Sequence, residues 1–155
     1  IPSSVAEIGQ SAFFEATDLT SVDFSNATEL KTIGNYAFGS TGVVSVDLSG
    51  ATALETITYQ AFYDATKLTS ITLPDGLKEI ENQAFKNTNV TSVTTLACTQ
   101  LGTDVFPSTT TVVKQFARTC LDRYVAEGIT YAQIASALTP DELKAAYRAK
   151  GNCPT

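Results

Sequence analysis

Apolar residues recur along the first two thirds of the chain with a period close to 24 residues. The unit Ile-x-x-x-Ala-Phe stands at Ile8/Ala12/Phe13, Ile33/Ala37/Phe38, Ile57/Ala61/Phe62 and Ile80/Ala84/Phe85, with a degenerate copy at Leu101/Val105/Phe106. Each Phe is followed by a second pattern, idealised as Leu-x-x-Val-x-Leu: Leu19/Val22/Phe24, Val43/Val46/Leu48, Leu68/Ile71/Leu73 and Val90/Val93/Thr95. A further apolar residue precedes each Ile, at Val5, Leu30, Leu54 and Leu77. The alternation in Leu-x-x-Val-x-Leu suits a short strand. One such unit cannot bury its apolar set alone, whereas stacked units bury it continuously. The pattern therefore predicts a coil per repeat, four full coils and a degenerate fifth. Their Leu-x-x-Val-x-Leu strands are expected to form a parallel sheet, with the phenylalanines stacked as a core ladder. The opening Ile1–Ile8 matches Leu73–Ile80. The chain thus begins in mid-repeat, and further coils are expected upstream.

The units over 33–48 and 80–93 resemble BspA-like (Treponema-type) leucine-rich repeats. Leu73-Pro74 matches that family's apolar-Pro step after the strand, and the resemblance covers about residues 1–107. Many members carry Cys three residues after the Phe, where this chain has Ala16, Thr41, Ala65 and Thr88. The resemblance implies a leucine-rich-repeat solenoid with a parallel β-sheet on its concave face. It also implies a secreted or cell-surface protein acting in adhesion and protein binding without catalysis.

After Phe106-Pro107 the repeat stops, and Ser108–Thr111 reads as a boundary. Val113, Phe116, Ala117, Cys120, Leu121 and Tyr124 then follow helical spacing up to Gly128. Thr130–Gln133 and Thr139–Glu142 read as capping boxes of two further helices. The fold class is thus α/β: a solenoid over 1–107 and an α-helical C-terminal segment over 108–155. That segment serves as a cap over the open solenoid end, as a docking module for another subunit, or as both.

Composition narrows the function. The 155 residues contain no His, which removes Ser-His-Asp triads, Cys-His pairs and His-liganded zinc. No nucleophile–base pair or phosphate loop is visible, so no enzyme activity, catalytic residue or cofactor is expected. Residues 1–107 carry 12 acidic and 4 basic side chains, and residues 108–155 carry 4 acidic and 6 basic. An acidic body is the wrong sign for nucleic acid and for anionic lipid. No run approaches the roughly 18 apolar residues of a membrane span, and no signal peptide is visible.

Between the strand apolar positions the side chains are expected to face outward in rows across the coils. The rows are Thr20, Val44, Thr69, Thr91; Ser21, Ser45, Ser70, Ser92; and Asp23, Asp47, Thr72, Thr94. They offer a flat hydroxyl surface to a protein or glycan, or are simply small β-compatible residues. Asp23 and Asp47 are neighbours, but Ca²⁺ wants about six to eight oxygens and only two carboxylates are predicted, so no metal site is assigned. Phe14, Tyr36, Tyr59 and Tyr63 are expected on the opposite, convex face, either packed between coils or forming a lateral contact. Of the three cysteines, Cys120 and Cys153 form the favoured disulfide, which would leave Cys98 free or bonded outside the chain; reduced thiols are the alternative. Sequons stand at Asn26 and Asn89. The leading expectation is a binding module at the cell surface or outside the cell, contacting a protein or glycan through the concave face. The alternative is a structural subunit of a larger assembly, in an organelle or another compartment, motivated by the aromatic face and the helical tail.

Overall fold

The computed structural model describes residues 1–115. Two compact units divide the chain: Ile1–Thr94 together with Thr99–Val113, and Thr95–Cys98 together with the chain from Lys114 onward. The first unit is a parallel β-solenoid of about five turns, and each turn has three sides.

The first side is a continuous sheet. Strands β1 (Glu7–Ile8), β2 (Thr32–Ile33), β4 (Thr56–Ile57), β6 (Glu79–Ile80) and β8 (Gln100–Leu101) lie in the order β1-β2-β4-β6-β8. All pairs are parallel and in repeat register, so Ile8, Ile33, Ile57, Ile80 and Leu101 form one inward row. The second side is the turn carrying the Ala-Phe pair. Its amides alternate in what they bind. Phe14, Gly39, Tyr63 and Lys86 donate to the carbonyl three residues back in their own coil. Phe13, Phe38, Phe62 and Phe85 donate instead to Ala37, Ala61, Ala84 and Val105 of the next coil, at 2.7–2.8 Å. The residue two before each of these Phe, and the residue two after Phe13, Phe38 and Phe62, do the same, as with Ser11 to Asn35 and Glu15 to Gly39. This alternation requires left-handed backbone at those flanking positions, and Ser11, Glu15, Tyr36, Ser40, Gln60, Asp64, Gln83, Asn87 and Asp104 all have φ between 52° and 62°.

The third side holds the Leu-x-x-Val-x-Leu segments, and here the expected four-stranded sheet is corrected. Strands β3 (Ser45–Asp47) and β5 (Ser70–Thr72) pair as a separate two-stranded parallel sheet. The first coil is joined to the second on this side by Val44 N donating to Thr20 O at 3.2 Å. Ser21–Asp23 is not assigned as a strand, although the Asp23 carboxylate accepts the Ser25 amide at 2.8 Å just as Asp47 of β3 accepts that of Ser49 at 3.0 Å. In the fourth coil β7 (Ser92–Leu96) pairs with β9 (Thr111–Gln115). That strand also corrects the start of the predicted tail helix: Thr111-Val112-Val113 is a β-branched run, disfavoured in a helix and suited to a strand. Thr111 N donates to Thr91 O at 2.8 Å, and Thr110 Oγ1 to Val90 O at 2.6 Å. The remainder of the expected helical segment, 116–155, lies outside the described residues.

Coils approach so closely that some positions admit no side chain. A Cβ on Gly42 would lie 2.1 Å from Thr17 O, and one on Gly50 would lie 2.6 Å from Phe24 O. The core runs along the stack. Phe13, Phe38, Phe62, Phe85 and Phe106 stack nearly parallel, with centroid steps of 5.0, 5.1, 5.0 and 5.2 Å. The middle three are fully buried. Phe24 meets Phe38 edge-on at 6.0 Å. Where the Phe+3 position is Thr, its hydroxyl is satisfied locally: Thr41 and Thr88 each donate to the preceding Phe carbonyl at 2.8 Å.

Candidate interaction surfaces

The side chains expected to face outward on the third side do so. Thr20, Ser21, Asp23, Val44, Ser45, Asp47, Thr69, Ser70, Thr72, Thr91, Ser92 and Thr94 are all exposed. The structure aligns only part of them. Ser45 pairs with Ser70 and Asp47 with Thr72, since β3 and β5 are in register. Ser21 lies in no assigned strand, and Ser92 belongs to the β7–β9 pair, so the unbroken serine row becomes a two-coil patch flanked by hydroxyls. Val44, 47% exposed, is the apolar element of this patch.

Asp23 and Asp47 come together at a recess of about 290 Å³ that they line with Val22, Phe24, Ser25, Ser49 and Gly50. Each carboxylate is already committed to a serine two residues on. Ser25 holds the Asp23 carboxyl below its ordinary range through its side chain and then its amide. Ser49 does the same for Asp47 through its amide, at 3.0 Å, and then its side chain. No group of three or more His, Cys, Asp or Glu side chains able to hold a metal ion occurs among the described residues.

On the second side three of the four predicted aromatics are brought into contact as a ridge, with Tyr63 near Tyr36. Phe14 meets Tyr36 edge-to-face at 5.9 Å, and Tyr36 meets Tyr59 likewise at 5.7 Å. Phe14 is 41% and Tyr59 37% exposed; Tyr36 and Tyr63 are half-buried. Gly39 makes room for the Phe14 ring, whose nearest carbon lies 3.0 Å from where a Cβ would stand. Desolvation, and then the neighbouring Tyr59 and Tyr63 hydroxyls, push the Tyr36 phenol above its ordinary range. Phe14, Tyr36 and Tyr59 thus pack across coils, the first of the two readings, while Phe14 and Tyr59 stay accessible.

Sequence reasoning missed the amides beneath this ridge. Gln60 is buried, and its Nε2 donates to Gln83 Oε1 at 2.7 Å. The Tyr59 hydroxyl reaches the same oxygen at 3.5 Å. The available signal was positional: Gln60 and Gln83 both stand two residues before the repeat Phe, in adjacent coils. Glu81 is a second such residue, its carboxylate accepting the Tyr59 amide at 2.8 Å.

Cys98 is buried and disulfide-bonded. This corrects the expectation that Cys98 is the cysteine left over. With three cysteines in the chain, an internal bridge from Cys98 uses Cys120 or Cys153 and excludes the Cys120–Cys153 pair; both those residues lie outside the described residues. Asn26 and Asn89 are exposed, but Asn89 Nδ2, the atom that would carry a glycan, donates to Thr66 O at 2.7 Å. Among the described residues no helix is long and apolar enough to cross a membrane.

Short parallel strands in repeat register around a stacked aromatic core define a leucine-rich-repeat solenoid. The chain belongs to the BspA-type leucine-rich repeat family, whose six-copy region matches residues 1–113. A solved leucine-rich repeat protein from Bacteroides ovatus ATCC 8483 is similar, at 27% sequence identity and a TM-score of 0.59. The match covers 69% of this chain and 27% of that protein. No curated protein matches the sequence.

Proposed function

We propose that this chain is a non-catalytic, adhesion-type interaction module that binds a protein or glycan through the outward face of β3, β5 and their flanking coils. Family and fold support an interaction role in general. The observation that carries the choice of face is the in-register Ser45–Ser70 and Asp47–Thr72 patch, with every flanking row position exposed. A solenoid holds such a surface without reorganisation, which lowers the ordering cost of binding. The setting proposed is the cell surface or extracellular space. Residues 1–107 are proposed as the binding body, and 108–155 as a cap or docking segment beginning at β9.

The ridge of Phe14, Tyr36, Tyr59 and Tyr63 favours a second reading, a structural subunit of a larger assembly, since exposed aromatics are enriched at interfaces. Affinity capture from the native source separates the two, using the chain and its Ser45→Arg/Ser70→Arg variant as baits. Loss of a stoichiometric partner from the variant supports the hydroxyl face. Retention of the same partners by both baits moves the contact to the ridge or the tail.

A further inference from the structure

The ridge has a chemical character of its own. The turn segments that carry it, 9–15, 34–40, 58–64 and 81–87, contain Glu15, Asp64 and Glu81 beside the aromatics. Their one lysine, Lys86, is tied to Asp104 at 3.2 Å. Accessible aromatic rings beside carboxylates call for one complement, a cation rich in N–H donors. A guanidinium supplies it best: it is planar, stacks on aromatic rings and carries five donors, where an ammonium carries three and no plane. The rings are 5.9 and 5.7 Å apart along the row. Alternate side chains of an extended peptide stand about 6.6 Å apart, close to those steps.

We propose that the aromatic ridge is a docking site for an extended basic polypeptide segment of a partner protein, with arginine side chains laid on the Tyr36 and Tyr59 rings between the Glu15, Asp64 and Glu81 carboxylates. The proposal rests on the interaction-module reading but not on the hydroxyl face.

The test is a fluorescence anisotropy titration of the full chain with a dye-labelled (Arg-Ser)4 peptide at about 0.15 M NaCl, with (Glu-Ser)4 and the neutral sugar cellotetraose as comparison ligands. The expected result is binding of the arginine peptide alone. Tyr36→Leu/Tyr59→Leu keeps the charge and removes the π faces, and should weaken binding about tenfold. Tyr36→Phe/Tyr59→Phe keeps the faces and should bind within about twofold of the parent. Asp64→Asn should cost about threefold, more than Asp47→Asn, which removes the same charge from another side. Ser45→Gln/Ser70→Gln should bind the peptide as the parent does, so failure of the hydroxyl face and failure of the ridge are read separately. Equal losses from Asp64→Asn and Asp47→Asn, with no loss from the leucine pair, would reduce the effect to diffuse charge and overturn the site. Absence of arginine-peptide binding, or ridge-dependent binding of cellotetraose in its place, would overturn it as well.

Discussion

Replacing Phe62 by Ala tests the account of what holds the coils together. Phe62 is fully buried between Phe38 at 5.1 Å and Phe85 at 5.0 Å, with both partner rings nearly parallel to it. Burying a phenylalanine removes roughly 150–250 Å² from water, about 4–6 kcal/mol as an upper bound at about 25 cal/mol per Å². The coil backbones are pinned by hydrogen bonds on the turn and sheet sides. The cavity left by the ring therefore collapses little, and the expected loss is about 3–5 kcal/mol. Phe13 occupies the same repeat position but is only half-buried and stacks on one ring, Phe38. Phe13→Ala should accordingly cost about half as much. Urea denaturation at 25 °C, followed by far-ultraviolet circular dichroism, reads both losses. A Phe62→Ala loss below about 1.5 kcal/mol, or one no larger than that of Phe13→Ala, would refute the ladder as the principal stabilising element.

Three further outcomes are expected. Gly42→Ala drives a Cβ into Thr17 O, so it should cost about 1–3 kcal/mol, and a denaturation midpoint equal to the parent's would contradict the close backbone approach. Asp23 and Asp47 have folded-state pKa values below the ordinary 3.8, so their contribution is present above that value and is lost as pH falls through the depressed folded values. The midpoint should then drop between pH 6 and pH 2.5 by less in Asp23→Asn/Asp47→Asn than in the parent, and an unchanged drop would show that the two serine contacts do not matter. Non-reducing peptide mapping should recover Cys98 joined to Cys120 or Cys153; recovery of a Cys120–Cys153 peptide would contradict the bridge at Cys98.

The features legible in the sequence were those set by apolar periodicity. The Phe steps from Phe13 to Phe106, the buried Ile row and the outward positions between them follow from which residues can be wet and which cannot. Hydrogen-bond routing was not legible. Lys-Glu-Ile and Lys-Thr-Ile hardly look like strands, yet they form the continuous sheet, because register repeats there without a bend. Ser21-Val22-Asp23 has the same apolar spacing as Ser45-Val46-Asp47, yet only the latter is a paired strand, a difference apolar spacing cannot register. Thr111–Gln115 was absorbed into a helical pattern because the apolar spacing from Val113 onward obscured the β-branched run at its start. The aromatic ridge was legible as composition and not as geometry. That Tyr36 touches both Phe14 and Tyr59 depends on left-handed backbone at a non-glycine residue, which no local rule anticipates.

The alternating amides of the turn side give that side an electrical sense, opposite to that of the sheet side, where bonds such as Gly34 N–H to Ile8 and Glu81 N–H to Ile57 donate from the later coil to the earlier. Eleven inter-coil backbone bonds around the Ala-Phe pairs, from Ser11 N–H to Asn35 through Phe85 N–H to Val105, donate from the earlier coil to the later one. Their peptide dipoles therefore add along the stack, by the same head-to-tail summation that polarises an α-helix. The negative pole of the turn side thus lies toward the coil of Phe13 and its positive pole toward Asp104–Phe106. A carboxylate beside the last rung is favoured and one beside the first is not. On this side the solenoid behaves as a broad, slow-pitched counterpart of a helix, with a polarity set by chain direction and independent of its side chains.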